Sequence, residues 1–395
     1  MAEPEQVQKT SWLRDFILLS ISRFCMFFSH RQMQPVFPVY LSGLGSSGAL
    51  IGFVMSSFTV MATVSRPFVG MLMDRVGRKV FLLLGLVIFG LTTLGYAWAP
   101  TIMFLVAFRI IQGLGWSCGT TAVATLAADI APSNKRGTVI SYAGLASNLG
   151  AALGPIAGFA AYEHFGFHGM FLTVFGVVLL GTLFSIPIKE SQRPTPYQGP
   201  RRSWWELFVV PESLLPAVAM AFIAFGHSGT ATFIPLYILQ QDFGNPAYFF
   251  VVESVSVMIS RPIVGPLSDR INRRAIILPG FVLQILGLIL IAKASSAAIL
   301  FSAGAVTGLG LAFAHPPLMA LAIDLVPADR RGLSMAQFQT FHDLGNALGA
   351  VALGNFLDLM GKNFSAMYGV AAGVVTSGLL LFGIFSRSRQ GAPGS

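Results

Sequence analysis

Between Ser65 and Lys79 the chain reads S-R-P-F-V-G-M-L-M-D-R-V-G-R-K, and between Ser260 and Arg274 it reads S-R-P-I-V-G-P-L-S-D-R-I-N-R-R. Ser, Arg, Pro, Gly, Asp and Arg recur at an offset of 195 residues. A repeat at that separation means two copies of one fold in one chain. The offset persists downstream. Gly113 and Gly115 return as Gly308 and Gly310, and Asp129, Pro132, Arg136 and Gly137 return as Asp324, Pro327, Arg331 and Gly332. The copies therefore run in the same order, as parallel repeats.

What the copies are made of follows from composition. Of 395 residues 54% are hydrophobic and 10% charged, against roughly 25% charged in soluble domains, so the chain is read as a membrane protein. Apolar runs long enough to cross a bilayer predict twelve spans, near 13–42, 49–72, 79–98, 101–131, 138–162, 168–188, 212–239, 246–268, 275–294, 297–326, 333–359 and 365–386. The formal charge of +9 raises the question of a nucleic-acid partner. The bases answer it, because they sit in short loops. Eighteen of the 25 Lys and Arg fall in the termini and in the loops after spans 2, 4, 6, 8 and 10, whereas the opposite loops hold only Lys293 and Lys362. By the positive-inside rule both termini are expected in the cytoplasm, with no nucleic-acid partner.

Residues 1–188 and 212–395 are the expected six-helix halves. The Pro- and base-rich stretch 189–211 is the expected linker, and Trp204 and Trp205 suit an interfacial anchor. Cys25 and Cys118 lie in apolar segments without metal or redox spacing. The polar start, Met1 to Thr10, has no basic n-region or cleavage pattern, so the first apolar segment is expected to remain as a helix.

Three motifs resemble those of the major facilitator superfamily. Its loop signature G-x-x-x-D-R-x-G-R-K is matched by Gly70, Asp74, Arg75, Gly77, Arg78 and Lys79, and in the second copy by Gly265, Asp269 and Arg270, with Asn272 in place of the inner glycine. Arg109, Gln112, Gly113 and Gly115 are similar to its R-x-x-Q-G-x-G pattern, whose arginine is associated with proton coupling. Gly150, Gly154, Pro155 and Gly158 resemble the exporter signature G-x-x-x-G-P-x-x-G. Arg109 and Pro155 are replaced in the second half by Gly304 and Ala350, so neither is demanded by the repeat fold itself. The resemblance implies an all-α membrane protein of two six-helix repeats around a cavity, with spans 3, 6, 9 and 12 against lipid. It also implies proton-coupled efflux by alternating access, no catalysis, no cofactor and a monomer in a bacterial inner membrane.

Polar groups inside spans are costly and mark function by default. Those singled out for solute binding are Arg23, His30, Arg31, Gln34, Arg109, Gln112, His227, Glu253, His315, His342 and Asp343. Arg23, His30 and Gln34 fall within about 20° of one helical face, with Arg31 about 80° around, directed at span 5 or a cavity edge. Pro35 and Pro38 are expected to loosen the outer end of span 1. Glu253 and Asp343 are the acids deep in spans. Burial disfavours a carboxylate and a nearby guanidinium favours it, so an acid that alternates between the two environments can carry a proton. Arg109, Glu253 and Asp343 are the expected proton-coupling set. Arg261 lies eight residues from Glu253, about 12 Å along the helix, too far for a direct pair within it. No two of the six histidines show metal-ligand spacing, so no metal is expected.

The segments P-V-F-P-V-Y (Pro35 to Tyr40) and F-I-P-L-Y (Phe233 to Tyr237) look similar to bacterial exporters of opine-type metallophores. With Arg23 on span 1, where drug exporters often carry an acid, and Arg31 and Arg109 nearby, the expected solute is anionic or zwitterionic, a carboxylate metabolite or siderophore. A proton-coupled importer of an organic anion and a lipid flippase are the alternatives that share the fold.

Overall fold

The computed structural model describes residues 3–130, 136–189, 210–327 and 330–388. Nearly all of the expected linker, with Trp204 and Trp205, the side chains of Asp74 and Asp269, and the surroundings of Gly265 lie outside what is described. Every described element of length is a helix. In order they are α1 (Glu3–Met33), α2 (Phe37–Gly43), α3 (Gly48–Val76), α4 (Arg78–Tyr96), α5 (Ile102–Ile130) and α6 (Arg136–Ser185). There follow α7 (Leu214–Gln240), α8 (Ala247–Arg270), α9 (Arg273–Ala292), α10 (Ala297–Asp324), α11 (Arg331–Leu359) and α12 (Phe364–Ser388). The fifth and sixth predicted spans both lie within α6, which is two helices meeting at a kink at Gly166, whose φ of 65° and ψ of −172° are non-helical and suit glycine. Among the described residues nine helical stretches are long and apolar enough to cross a membrane, and one of them, Ala143–Ser185, holds both spans of α6.

Span 1 breaks where its prolines stand. Pro35 lacks an N–H and disfavours helix in the residue before it, so α1 stops at Met33, residues 34–36 form a turn, and α2 resumes at Phe37. Between α3 and α4, Gly77 holds φ 124° and ψ 147°, a conformation that favours glycine. The departure at Asn272 has a local reason. Asn272 takes φ −56° and caps α9 by accepting a hydrogen bond from Arg274 N at 3.1 Å, so a side-chain cap replaces the glycine turn.

Two compact units emerge, one of residues 1–37 and 60–199, the other of 38–59 and 200–395. In the first, α1 lies on α6. A Cβ at Gly150 would meet Phe24 O at 2.8 Å, and one at Gly154 would meet Arg31 Cβ at 2.7 Å and Phe28 O at 2.8 Å. Glycine at helical spacing thus lets two backbones touch. The second unit repeats the crossing in α11 on α7, where a Cβ at Gly345 would stand 2.8 Å from Ala221 Cα and one at Gly349 2.9 Å from Phe225 Cα. The third position differs: Gly158 abuts the Gln32 carbonyl, whereas its counterpart Leu353 packs on Gly229.

The duplicated loop also recurs in three dimensions. Arg78 pairs with Asp129 in the first unit, and Arg273 pairs with Asp324 at 2.8 Å in the second, both partners shifted by the same 195 residues. Large apolar side chains stand exposed on the outer faces, among them Leu84 and Leu91 on α4, Leu180 on α6, Leu286 on α9 and Leu380 on α12. Such a surface belongs in lipid.

Residues 38–59 join the second unit through a small-residue contact. A Cβ on Gly48 would come within 2.8 Å of Gly354 O, and one on Gly52 within 3.2 Å of Val351 Cα. The Asp358 carboxylate then accepts from Gly48 N and Ala49 N, both at 2.7 Å, and so caps α3 from α11.

Candidate functional site

In the first unit the buried polar chemistry centres on Arg109. A helix whose neighbours are mostly Ile, Leu and Phe gives a guanidinium few partners, and α5 supplies one from its own next turn. Arg109 is 1% exposed and donates from Nη1 to Gln112 Oε1 at 3.1 Å. Gln112 in turn accepts from the Tyr96 hydroxyl at 2.9 Å and donates to Thr93 Oγ1 at 3.0 Å. The guanidinium stacks 4.8 Å from the Phe37 ring centroid, at the first residue of α2. Arg109 therefore ties α5, α4 and the restart after the α1 break into one network.

The expected stripe on α1 is divided among three neighbours. Arg23 donates to Ser147 on α6. The His30 ring lies 4.3 Å from that of Trp116 on α5. Gln34 stands beyond the helix end, in the turn, and accepts from Arg31 Nη1 at 2.8 Å. Arg31 itself leaves α1 beside Gly154, against span 5.

In the second unit the remaining predicted residues converge. His227 on α7 places Nε2 3.6 Å from Oε1 of Glu253 on α8. Glu253 is 4% exposed, and this oxygen is buried with no hydrogen bond among the described residues. On α11, His342 Nδ1 lies 3.2 Å from Asp343 Oδ1, which also accepts from Gln339 Nε2 at 3.0 Å. Asn346 Nδ2 stands 3.3 Å from His342 Nε2. His315 on α10 packs edge-to-face on His342, their ring centroids 5.5 Å apart. Glu253 and Asp343 thus each have an imidazole nitrogen within 3.6 Å.

A cavity of about 190 Å³ opens at this cluster. His227, His315, His342 and Arg261 supply its polar wall, and Met220, Ala224, Val257 and Leu311 are among its apolar residues. Among the described residues no three His, Cys, Asp or Glu side chains are placed to hold a metal ion.

Sequence reasoning singled out the histidines and acids but not Gln339, Asn346 or the cavity role of Arg261. The first two carried a signal: they lie three and four residues from His342, on its face of α11. Arg261 carried one too, as a charged side chain inside span 8 and in the repeated S-R-P motif, but whether it meets lipid or the cavity depends on how α8 is rotated.

Comparison with known proteins agrees with this architecture. The description "Major Facilitator Superfamily" matches residues 19–260 and 247–394. The multidrug resistance protein MdtG of Escherichia fergusonii is 27% identical over 404 residues, covering 97% of this chain and 96% of that protein. The uncharacterized MFS-type transporter YhhS of Escherichia coli K12 is 26% identical over 359 residues, covering 88% of this chain and 86% of that protein. Among solved structures, the nucleoside transporter NupG superposes with a TM-score of 0.81 over 93% of this chain and 98% of that one. At 15% identity that likeness speaks for the fold alone.

Proposed function

This chain belongs to the major facilitator superfamily and is a multi-pass membrane transporter, not an enzyme; from that premise we propose that it exports a small organic solute in exchange for protons by alternating access. In this reading residues 1–188 and 212–395 are the two halves, joined by 189–211, with both termini and the linker in the cytoplasm. The basic loops support that orientation. The glycine-lined crossing of α6 on α1 supports export, as does the likeness to MdtG, a multidrug resistance protein by name.

The observation that carries the proton coupling is the Glu253–His227 contact. A lone carboxylate in an apolar interior is expensive, and among the described residues Glu253 Oε1 has an imidazole at 3.6 Å and no hydrogen bond to answer it. A proton held between acid and imidazole removes that cost, and its departure restores it. The His342–Asp343 pair is a second such station, already supported by Gln339.

Exchange sets a condition on the solute. If an anion and a proton bound together they would travel the same way, so the solute must displace the proton as it binds. A cationic group on a solute that also carries an anion meets that condition at either pair. Arg109, buried against Phe37 and Gln112, serves in this account as the anchor of the first unit's polar network.

The test is transport in proteoliposomes by Glu253→Gln and Asp343→Asn. Both variants should keep solute counterflow, and at least one should lose its response to an imposed pH gradient. Full response to the gradient in both would remove these acids from the mechanism.

A further inference from the structure

Arg261 belongs to the repeated S-R-P motif, yet no part of the coupling scheme uses it. Among the described residues it makes no hydrogen bond or ion pair, although its side chain lines the cavity of the second unit. A guanidinium offers five donors in a planar fork, matched to a carboxylate. The rest of the polar wall is three imidazoles: His227, His315 and His342. The two acids of the neighbourhood stand behind this wall, Glu253 at 4% and Asp343 at 7% exposure, and neither lines the cavity. Among the described residues the lined surface therefore presents one permanent cation, three groups able to donate hydrogen bonds, and no carboxylate.

Size narrows the occupant. At about 190 Å³ the cavity is smaller than the roughly 300–1,000 Å³ of drug-sized sites. The remaining wall, including Met220, Val257 and Leu311, is apolar. A short hydrocarbon body suits it, and a long polar one does not.

We infer that this cavity is a subsite for the carboxylate end of a small organic solute, with Arg261 gripping the carboxylate and the apolar wall covering a short hydrocarbon body. The inference rests on the transporter reading above and adds the substrate class. A charge-assisted fork to carboxylate needs no titration of the histidines, so they stay free to exchange protons with Glu253 and Asp343.

The test uses purified full-length protein and three probes of matched size: butyrate, butyramide and butylammonium. Calorimetric titration should show saturable binding of butyrate at least tenfold tighter than of the other two. Arg261→Gln should weaken butyrate binding at least tenfold, and Arg261→Lys, which keeps the charge but loses the fork, should fall between. Equal binding of butyrate and butylammonium, no binding of butyrate, or an Arg261→Gln variant that binds butyrate normally would each overturn the assignment. If Arg261→Gln does not fold, the comparison of the three probes on the unaltered protein and the Arg261→Lys variant decide the matter. Proton coupling is read separately: butyrate binding intact with no pH-driven transport would sink the coupling scheme and leave the subsite standing. Normal pH-driven transport without carboxylate preference would do the reverse.

Discussion

Replacing Gly154 by alanine is the smallest change that interrogates the contact of α6 with α1. The added Cβ would stand 2.7 Å from Arg31 Cβ, 2.8 Å from Gln32 N and 2.8 Å from Phe28 O. Two of those three atoms are backbone and cannot rotate away, so the contact must open by about 0.6–0.7 Å before ordinary van der Waals separation is restored. Overpacking of this kind costs about 1–3 kcal/mol. Alanine also favours helix over glycine by about 0.8–1.0 kcal/mol, which would blur the result were there no internal reference. Gly144 supplies one, since it lies on the same helix and its Cβ would meet nothing within 4 Å. The propensity gain is common to both positions, so the difference between Gly154→Ala and Gly144→Ala isolates the steric cost at about 1–3 kcal/mol. The assay is thermal unfolding of the purified protein in one detergent, with initial transport rates on the same preparations. Gly144→Ala should melt at or above the unaltered protein, and Gly154→Ala below both and with slower transport. Coincident melting of the two variants would refute the claim that backbone contact through Gly154 holds this crossing together.

Three further outcomes are expected. Gly345→Ala, at the equivalent crossing of α11 on α7, should be destabilising like Gly154→Ala, since its Cβ would lie 2.8 Å from Ala221 Cα; melting in parallel with Gly144→Ala would show that the crossing is not repeated in energy. Asp358→Ala removes the acceptor for Gly48 N and Ala49 N and should lower stability by about 0.5–2 kcal/mol, whereas Asp358→Asn, which keeps one acceptor oxygen, should lose less. Equal melting of Asp358→Ala and the unaltered protein would dismiss the cap as incidental. A cysteine placed at Ser203 should resist impermeant thiol reagents in intact cells and react after permeabilisation, and labelling from outside would invert the proposed topology.

The repeat was the most informative feature of the chain because it constrains geometry twice. Arg78–Asp129 and Arg273–Asp324, and the glycine crossings at 150 and 345, each follow from one offset. The break after Met33 was announced by Pro35. Other features depend on tertiary contacts that periodicity cannot carry. His227 and Glu253 sit on different helices, and no spacing rule says that their side chains meet. The grouping of residues 38–59 with the second unit rests on Gly48 and Gly52 finding Gly354 and Val351, some 300 residues away. Gln34 stands at the very end of the α1 stripe: its N–H still bonds His30 O at 2.9 Å, while its side chain is taken up by Arg31.

The direction of proton movement is the most direct test of exchange. Vesicles containing the protein and a trapped pH-sensitive dye, with no initial pH gradient and with potassium and valinomycin holding the membrane potential near zero, are exposed to an inward gradient of a radiolabelled solute chosen from a panel of small carboxylates and zwitterions. Exchange predicts that solute entry drives protons out, so the lumen becomes alkaline in step with uptake, and that Glu253→Gln or Asp343→Asn abolishes the dye signal while counterflow persists. Acidification of the lumen during uptake would establish symport instead, and solute uptake with no pH change in the unaltered protein would contradict proton coupling altogether.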